Sequence, residues 1–159
     1  MNVVEQVEDA HLLVIQTVND LPELEWDIPT VTDGWSVKDV IAHLASFEHI
    51  LVDVCKTFLE ESPDTPYLSQ YIKQHDDFNN IQVGERSNHT AQQVFDEYEE
   101  AQVDATGLLA RIPVETIEEK GTLPWYGKDR SLHDLITRLT SHVAHHCDSI
   151  TAFRTREKQ

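Results

Sequence analysis

"HVAHHCDSI", residues 142–150, sets three histidines within five positions of a segment that otherwise repeats with a helical period. Leu132, Leu135, Ile136, Leu139, Val143, Ile150 and Phe153 fall on one stripe, and Ser131 with Asp134 three residues on supplies an N-terminal capping pattern. A helix running from Ser131 toward Arg154 follows. His142 stands three residues after Leu139 and His146 three after Val143, so both share the apolar face. They are four residues apart, about 40° of rotation and one turn of rise. His145 is turned from His146 by about 100°, toward the surface or an outer shell. Imidazole is a poor core group because its ring nitrogens need partners when buried. Two readings remain open: core histidines bonded to backbone carbonyls, or an HxxxH pair converging on one ion.

A second helix opens at Ser36 in "SVKDVIAHLASFEHI", where Asp39 completes a variant capping box. Its stripe is Val40, Leu44, Phe47, Leu51, Val54 and Phe58, and it stops near "ESPDTP", where prolines forbid continuation. His43, three after Val40 and four before Phe47, flanks that stripe. A bundle can bring His43 opposite His142 and His146. Three nitrogens without a fourth obvious protein ligand are the pattern of an open, catalytic site. His11, on the stripe of the first helix, is either a further ligand, an outer-shell partner or a partly exposed histidine. Glu48 and His49 read as solvated.

Two further helices complete the set. The first spans about residues 3–20, with Val4, Val7, His11, Val14, Val18 and Leu21 on its stripe and "NDLPE" ending it. The third begins at Thr90, where "TAQQ" is another capping box; Val94, Tyr98, Ala101, Ala105, Leu108 and Leu109 follow, and Pro113 closes it. Residues between the second and third helices form a long crossover with room for a short helix in "YLSQYIKQHDDFNN". The stretch "PVETIEEKGTLPWYGKDR" reads as loop, with an extended piece at "GTLPWYG", and the tail "TREKQ" as frayed. The expected fold is all-α: one domain over residues 1–159, a four-helix bundle in up-down-down-up order with the crossover between helices 2 and 3. Trp125 and Tyr126 come to the bundle end, where they either line a substrate pocket or cap the core. Trp35 reads as core, and Cys55 and Cys147 as buried small hydrophobes.

The chain carries 29 acidic against 12 basic residues. That balance argues against a phosphate backbone as partner and against an anionic membrane surface. No apolar run approaches the roughly 20 residues that span a bilayer, and the acidic N-terminus lacks a signal peptide's basic region. Two cysteines without CxxC spacing do not make a disulfide framework. The expectation is a soluble, cytoplasmic protein acting on a small molecule.

"GWSVKDVIAHLASFE", residues 34–48, resembles the helix-2 signature of the DinB/YfiT-like superfamily, which includes mycothiol-dependent maleylpyruvate isomerases and related thiol transferases. "HVAHHCDSI" resembles that superfamily's last-helix motif, in which the first and third histidines of an HxxHH run bind a divalent metal. The resemblance implies metal ligands at His43, His142 and His146, with zinc expected and nickel an alternative. It also implies a low-molecular-weight thiol as cosubstrate and pairing into a homodimer. Many members continue with a His-Arg-Gly-Gln type run where this chain has "CDSI", which leaves the subfamily unassigned. Three functions compete: a metal-dependent transferase or isomerase using a thiol, a hydrolase using metal-bound water with Glu48 or Asp39 as base, and a non-enzymatic metal or small-molecule binding protein.

Overall fold

The computed structural model describes residues 2–158. Its helices are α1 (Val3–Val18), α2 (Val37–Leu59), α3 (Pro66–Lys73), α4 (Phe78–Glu85), α5 (Ala91–Leu109), α6 (Val114–Glu118) and α7 (Leu132–Glu157), with a 3-10 turn at Glu23–Asp27. No strand occurs among the described residues, only an isolated bridge between Thr32 and Trp35. The fold is an all-helical bundle.

Local chemistry starts each long helix. Asn2 caps α1 by accepting from the Glu5 amide at 2.9 Å. Ser36–Asp39, Thr90–Gln93 and Ser131–Asp134 form reciprocal capping boxes at α2, α5 and α7. Each satisfies two amides that the helix itself leaves unpaired.

Contacts at the helix ends set their directions. Gln6 of α1 meets His133 and Thr137 near the start of α7, while Arg154 near its end donates to the carbonyls of Thr17 and Asn19 at 2.7 and 2.8 Å. These two helices therefore run side by side in the same direction. Lys38 near the start of α2 donates to the carbonyls of Ser87 and His89, just before α5; farther along, His49 reaches Glu97. Helices α2 and α5 likewise run together. The core divides into two clusters. One gathers Val14, Val40, Leu44, Val94, Ile150 and Phe153; the other gathers Val7, Leu51, Phe78, Leu109, Leu132 and Ile136. Burying each such side chain contributes about 1.5–3 kcal/mol against the chain entropy lost on folding.

The crossover is more ordered than the expected single short helix, because α3 and α4 both form and are fastened from below. Asp53 of α2 is buried, and its Oδ2 accepts the amides of Tyr67 and Leu68 at 2.8 and 3.0 Å. Thr65, the residue at the cap position of α3, makes no side-chain cap bond, so α2 caps α3 from another element. Beyond α4, buried Arg86 takes both Glu97 oxygens, at 2.8 and 2.7 Å, and the Gln82 carbonyl. Burial opposes the Glu97 charge, but the bonds to Arg86 and His49 outweigh it and hold the carboxyl down to about 2.

Four local expectations are corrected. Residues 114–118, expected as loop, form α6, anchored by buried Ile117; a one-turn helix is too short to show a period. "GTLPWYG" is not extended: the Gly121 amide meets the Arg130 carbonyl at 2.9 Å and the Gly127 amide meets that of Leu123 at 3.1 Å, closing a compact loop. Gly121 has φ 81°, where a Cβ would press to 3.1 Å from the Lys128 carbonyl oxygen. Val3 rather than Val4 is buried, a phase shift of one residue at a helix start. Residues 155–157 of the tail remain helical, and Gln159 lies outside the described residues.

Removing the cross-element cap should have a measurable cost. Asp53→Ala is expected to lower unfolding free energy by about 1–3 kcal/mol, since two first-turn amides lose a buried acceptor. Asp53→Asn, which keeps an acceptor oxygen, should recover much of it in denaturant titration. Equal loss in both variants would show that the carboxylate does not act as the cap.

Candidate metal centre

His43 comes from the buried face of α2, and His142 and His146 from successive turns of α7. The rings meet where the two core clusters adjoin: the first takes α2 through Ala45 and α7 from Val143, the second takes α2 from Ile50 and α7 through Ile136. His142 Nε2 lies 3.1 Å from His43 Nε2 and 2.9 Å from His146 Nε2. One nitrogen from each ring falls within 4.8 Å of the others, and among the described residues no further His, Cys, Asp or Glu joins them.

The rings are held by packing. His43 sits between Trp35 and Phe47, with ring centroids at 5.2 and 4.9 Å, and Phe47 also meets His142 at 5.4 Å. The nitrogens turned away from the centre, His43 Nδ1 and His146 Nδ1, are sealed from solvent and have no partner among the described residues. Trp35, expected in the core, is half-buried and serves as this ring contact. It is aimed by the turn Thr32–Trp35, in which Asp33 and Gly34 both adopt positive φ.

Electrostatics keeps the cluster neutral. Burial first, then the two facing imidazoles, push His43 down to about 3. Burial and His142, with His145, bring His146 to about 4. His142 is lowered by burial, His145 and Arg138. The cluster therefore rejects protons while three ring nitrogens face one another. An ion bound by three nitrogens at about 2.0–2.1 Å in a tetrahedral shell would space them about 3.3 Å apart, close to the distances found. The donor set fits a divalent ion of the zinc type.

A cleft of about 350 Å³ lies beside the cluster. His142 belongs to both. Phe47, Tyr71, Trp125 and Tyr126 form its aromatic walls, and Arg130 and Arg138 reach it from the α7 side. Trp125 also packs on the lower core cluster, so it is both wall and cap. His145 is exposed. His11 is bonded to Tyr98 at 3.3 Å and lies 3.6 Å from Glu99, apart from the cluster. Cys55 and Cys147 are buried free thiols; burial pushes Cys55 up to about 12 and raises Cys147.

A sequence model of the DinB superfamily matches residues 6–150. The chain belongs to the DinB superfamily. Comparison with curated proteins finds no match, and comparison with solved structures finds none. The matched span contains every residue of this DinB centre and of the cleft beside it.

Two expectations near the site are corrected. His49 is not solvated: it is half-buried, bonded to Glu97 at 2.7 Å and stacked on Tyr67. Glu48 is not solvated either. Part of the residue reaches solvent, but its Oε2 is sealed without a partner, and burial pushes the carboxyl up to about 7. Its titratable neighbours are Tyr98 and Cys55, both held neutral by burial, and it is no part of the histidine cluster. Asp39 is spent on the α2 cap, bonded to the Ser36 amide at 3.0 Å. The signal for Glu48 was present: it stands four residues after Leu44 and three before Leu51, on the buried face.

The raised Glu48 pKa carries a pH signature. Below about 4.5 both folded and unfolded chains hold the proton; between 4.5 and 7 the unfolded chain releases it first, and stability falls as pH rises. Glu48→Gln removes that loss, so its stability relative to the parent should improve between pH 5 and pH 8 by up to about 3 kcal/mol. A difference that stays constant across that range would show that Glu48 ionises normally.

Proposed function

We propose that this protein is a divalent-metal-dependent transferase or isomerase that uses a low-molecular-weight thiol against a small electrophile. His43, His142 and His146 hold the ion, zinc before nickel. The observation that carries the reading is the three-nitrogen cluster, one member of which, His142, lines an aromatic cleft. A bound divalent ion would supply Lewis-acid polarisation and would lower the pKa of a thiol at the open position. The chain's own residues do the rest. The three neutral imidazoles offer lone pairs at neutral pH without first losing protons. Phe47, Tyr71 and Trp125 wall the cleft beside His142 and give a flat substrate its contact surface. Membership of the DinB superfamily supports the thiol chemistry by resemblance to members that use it. Among the described residues no helix is long and apolar enough to cross a membrane, and we place the protein in the cytoplasm, as a homodimer.

The hydrolase reading ranks lower for a structural reason. It needs a base beside the open position; of the two carboxylates considered for that role, Asp39 is bonded to the α2 cap and Glu48 does not join the histidine cluster.

Metal content of purified, untagged protein tests the ligand set. His43→Ala, His142→Ala and His146→Ala should each lose stoichiometric metal, whereas His145→Ala should keep it. Uniform loss in all four would show that α7 is phased differently. The chemistry is tested with cobalt in the site. Adding a small thiol near neutral pH should produce a sulfur-to-cobalt charge-transfer band, although a free thiol of pKa about 8.5 is then mostly protonated. An unchanged spectrum together with turnover of a test ester would put the hydrolase first.

A further inference from the structure

The cleft beside His142 has a charge pattern opposite to that of the rest of the chain. Acidic residues outnumber basic ones by more than two to one overall, yet the wall of this cleft includes Arg130, Arg138 and no Asp or Glu. Arg138 stands one turn before His142 on α7. It has neither hydrogen bond nor ion pair among the described residues, and its charge is close enough to act on both His142, which burial, His145 and Arg138 lower, and Tyr71, which burial raises against it. Arg130 is braced against the opposite wall: its Nη1 donates to the Tyr126 hydroxyl at 3.2 Å and its guanidinium lies 5.0 Å from that ring's centre. On their outer side the two arginines share a shallow depression with two acids, Asp129 and Asp134. Neither pairs with Arg130 or Arg138, and Asp134 is bonded to the Ser131 amide. At the far lip His75 is bonded to Tyr71 and lies 3.7 Å from Asp76.

An unpaired guanidinium at the mouth of an aromatic-walled cleft matches one ligand chemistry well. Guanidinium binds carboxylate through paired, parallel hydrogen bonds, and aromatic walls favour a flat, apolar body. We propose that the cleft is a binding subsite for a carboxylate borne on a flat unsaturated or aromatic body, with Arg138 as its principal partner and Arg130 as the second. This names the class of the small electrophile and rests on the preceding reading only for the use to which the bound molecule is put. Held by its carboxylate at Arg138, such a molecule lies along the Phe47–Trp125 walls with its other end toward His142. The carboxylate could instead belong to the thiol, so both sources are tested.

The experiment is calorimetric titration with cinnamate, with its neutral isostere cinnamamide, and with N-acetylcysteine as a carboxylate-bearing thiol. It is run on protein as purified and on protein stripped with a neutral chelator, with metal content read on the same samples. Cinnamate should bind saturably to both forms, and about tenfold or more tightly than cinnamamide. Arg138→Gln should weaken cinnamate by about ten- to a hundredfold without changing metal content or melting temperature, since Arg138 is exposed. Arg138→Lys should recover only part of the loss, and Arg111→Gln, a change to an exposed arginine outside the cleft, should have no effect. Equal binding of cinnamate and cinnamamide, or cinnamate binding indifferent to Arg138→Gln, would overturn the subsite. Arg138-dependent binding of N-acetylcysteine without any binding of cinnamate would also overturn it, by assigning the anion to the thiol. Protein that takes up no metal yet binds cinnamate through Arg138 would support the subsite while removing the metal-dependent function.

Discussion

Three imidazole nitrogens facing one another at about 3 Å, inside a wall of aromatic and aliphatic side chains, impose a condition that the chain alone cannot meet. Neutral imidazole carries one ring proton and one lone pair. Putting the proton on Nε2 sets protons against each other in the cluster. Putting it on Nδ1 leaves sealed donors on His43 and His146 with no acceptor among the described residues, at about 1–3 kcal/mol each. Charging the rings is worse, since burial and mutual repulsion push the cluster's affinity for protons far down. A divalent ion takes all three Nε2 lone pairs at once; it keeps the protons on Nδ1, so its three ligand bonds must outweigh those two unpaired donors.

The bundle enforces that arrangement. Parallel pairs α1–α7 and α2–α5 bring α2 and α7 past each other in opposite senses, so one histidine of α2 meets two from successive turns of α7. A hydrophobic cluster lies on each side of the meeting point, and sliding either helix by a turn would break both. The crossover contributes the cleft. Asp53 fixes the start of α3 and the Arg86–Glu97–His49 group fixes the end of α4, which together hold Tyr71 across from Trp125, ring centres 6.3 Å apart.

Much of this was legible in the sequence where the signal was local or periodic. The capping boxes at Ser36, Thr90 and Ser131 depend on residues three apart, and each forms. His43, His142 and His146 sit on apolar stripes whose phase follows from neighbouring leucines and valines, so their inward direction could be read. The failures have physical causes. Glu48 carried two opposed signals, a charge that favours water and a spacing that favours the core, and the spacing prevailed at the expense of an ordinary pKa. His49 and Arg86 are explained by Glu97, a partner dozens of residues from His49 in sequence, which no local pattern announces. The loop around Trp125 takes its shape from Gly121 and Gly127 closing on distant carbonyls, so its hydrophobic residues gave a false suggestion of an extended piece.

The electrostatics of the cleft is the same kind of fact. Arg130 and Arg138 are unremarkable on a helix or loop surface read one residue at a time; the fold places both, with His142, on the wall of a cleft whose described lining holds no Asp or Glu. The histidine cluster and the cleft share His142, and that continuity is what the proposed function and the proposed carboxylate subsite both rest on. The claim on which the rest depends is that the cluster holds an ion through three imidazoles. X-ray absorption at the metal edge of the purified protein tests it most directly. The account predicts three imidazole nitrogens at about 2.0–2.1 Å with at least one further light or sulfur ligand; a shell of oxygens alone, or a protein that takes up no metal at stoichiometric levels, would contradict it.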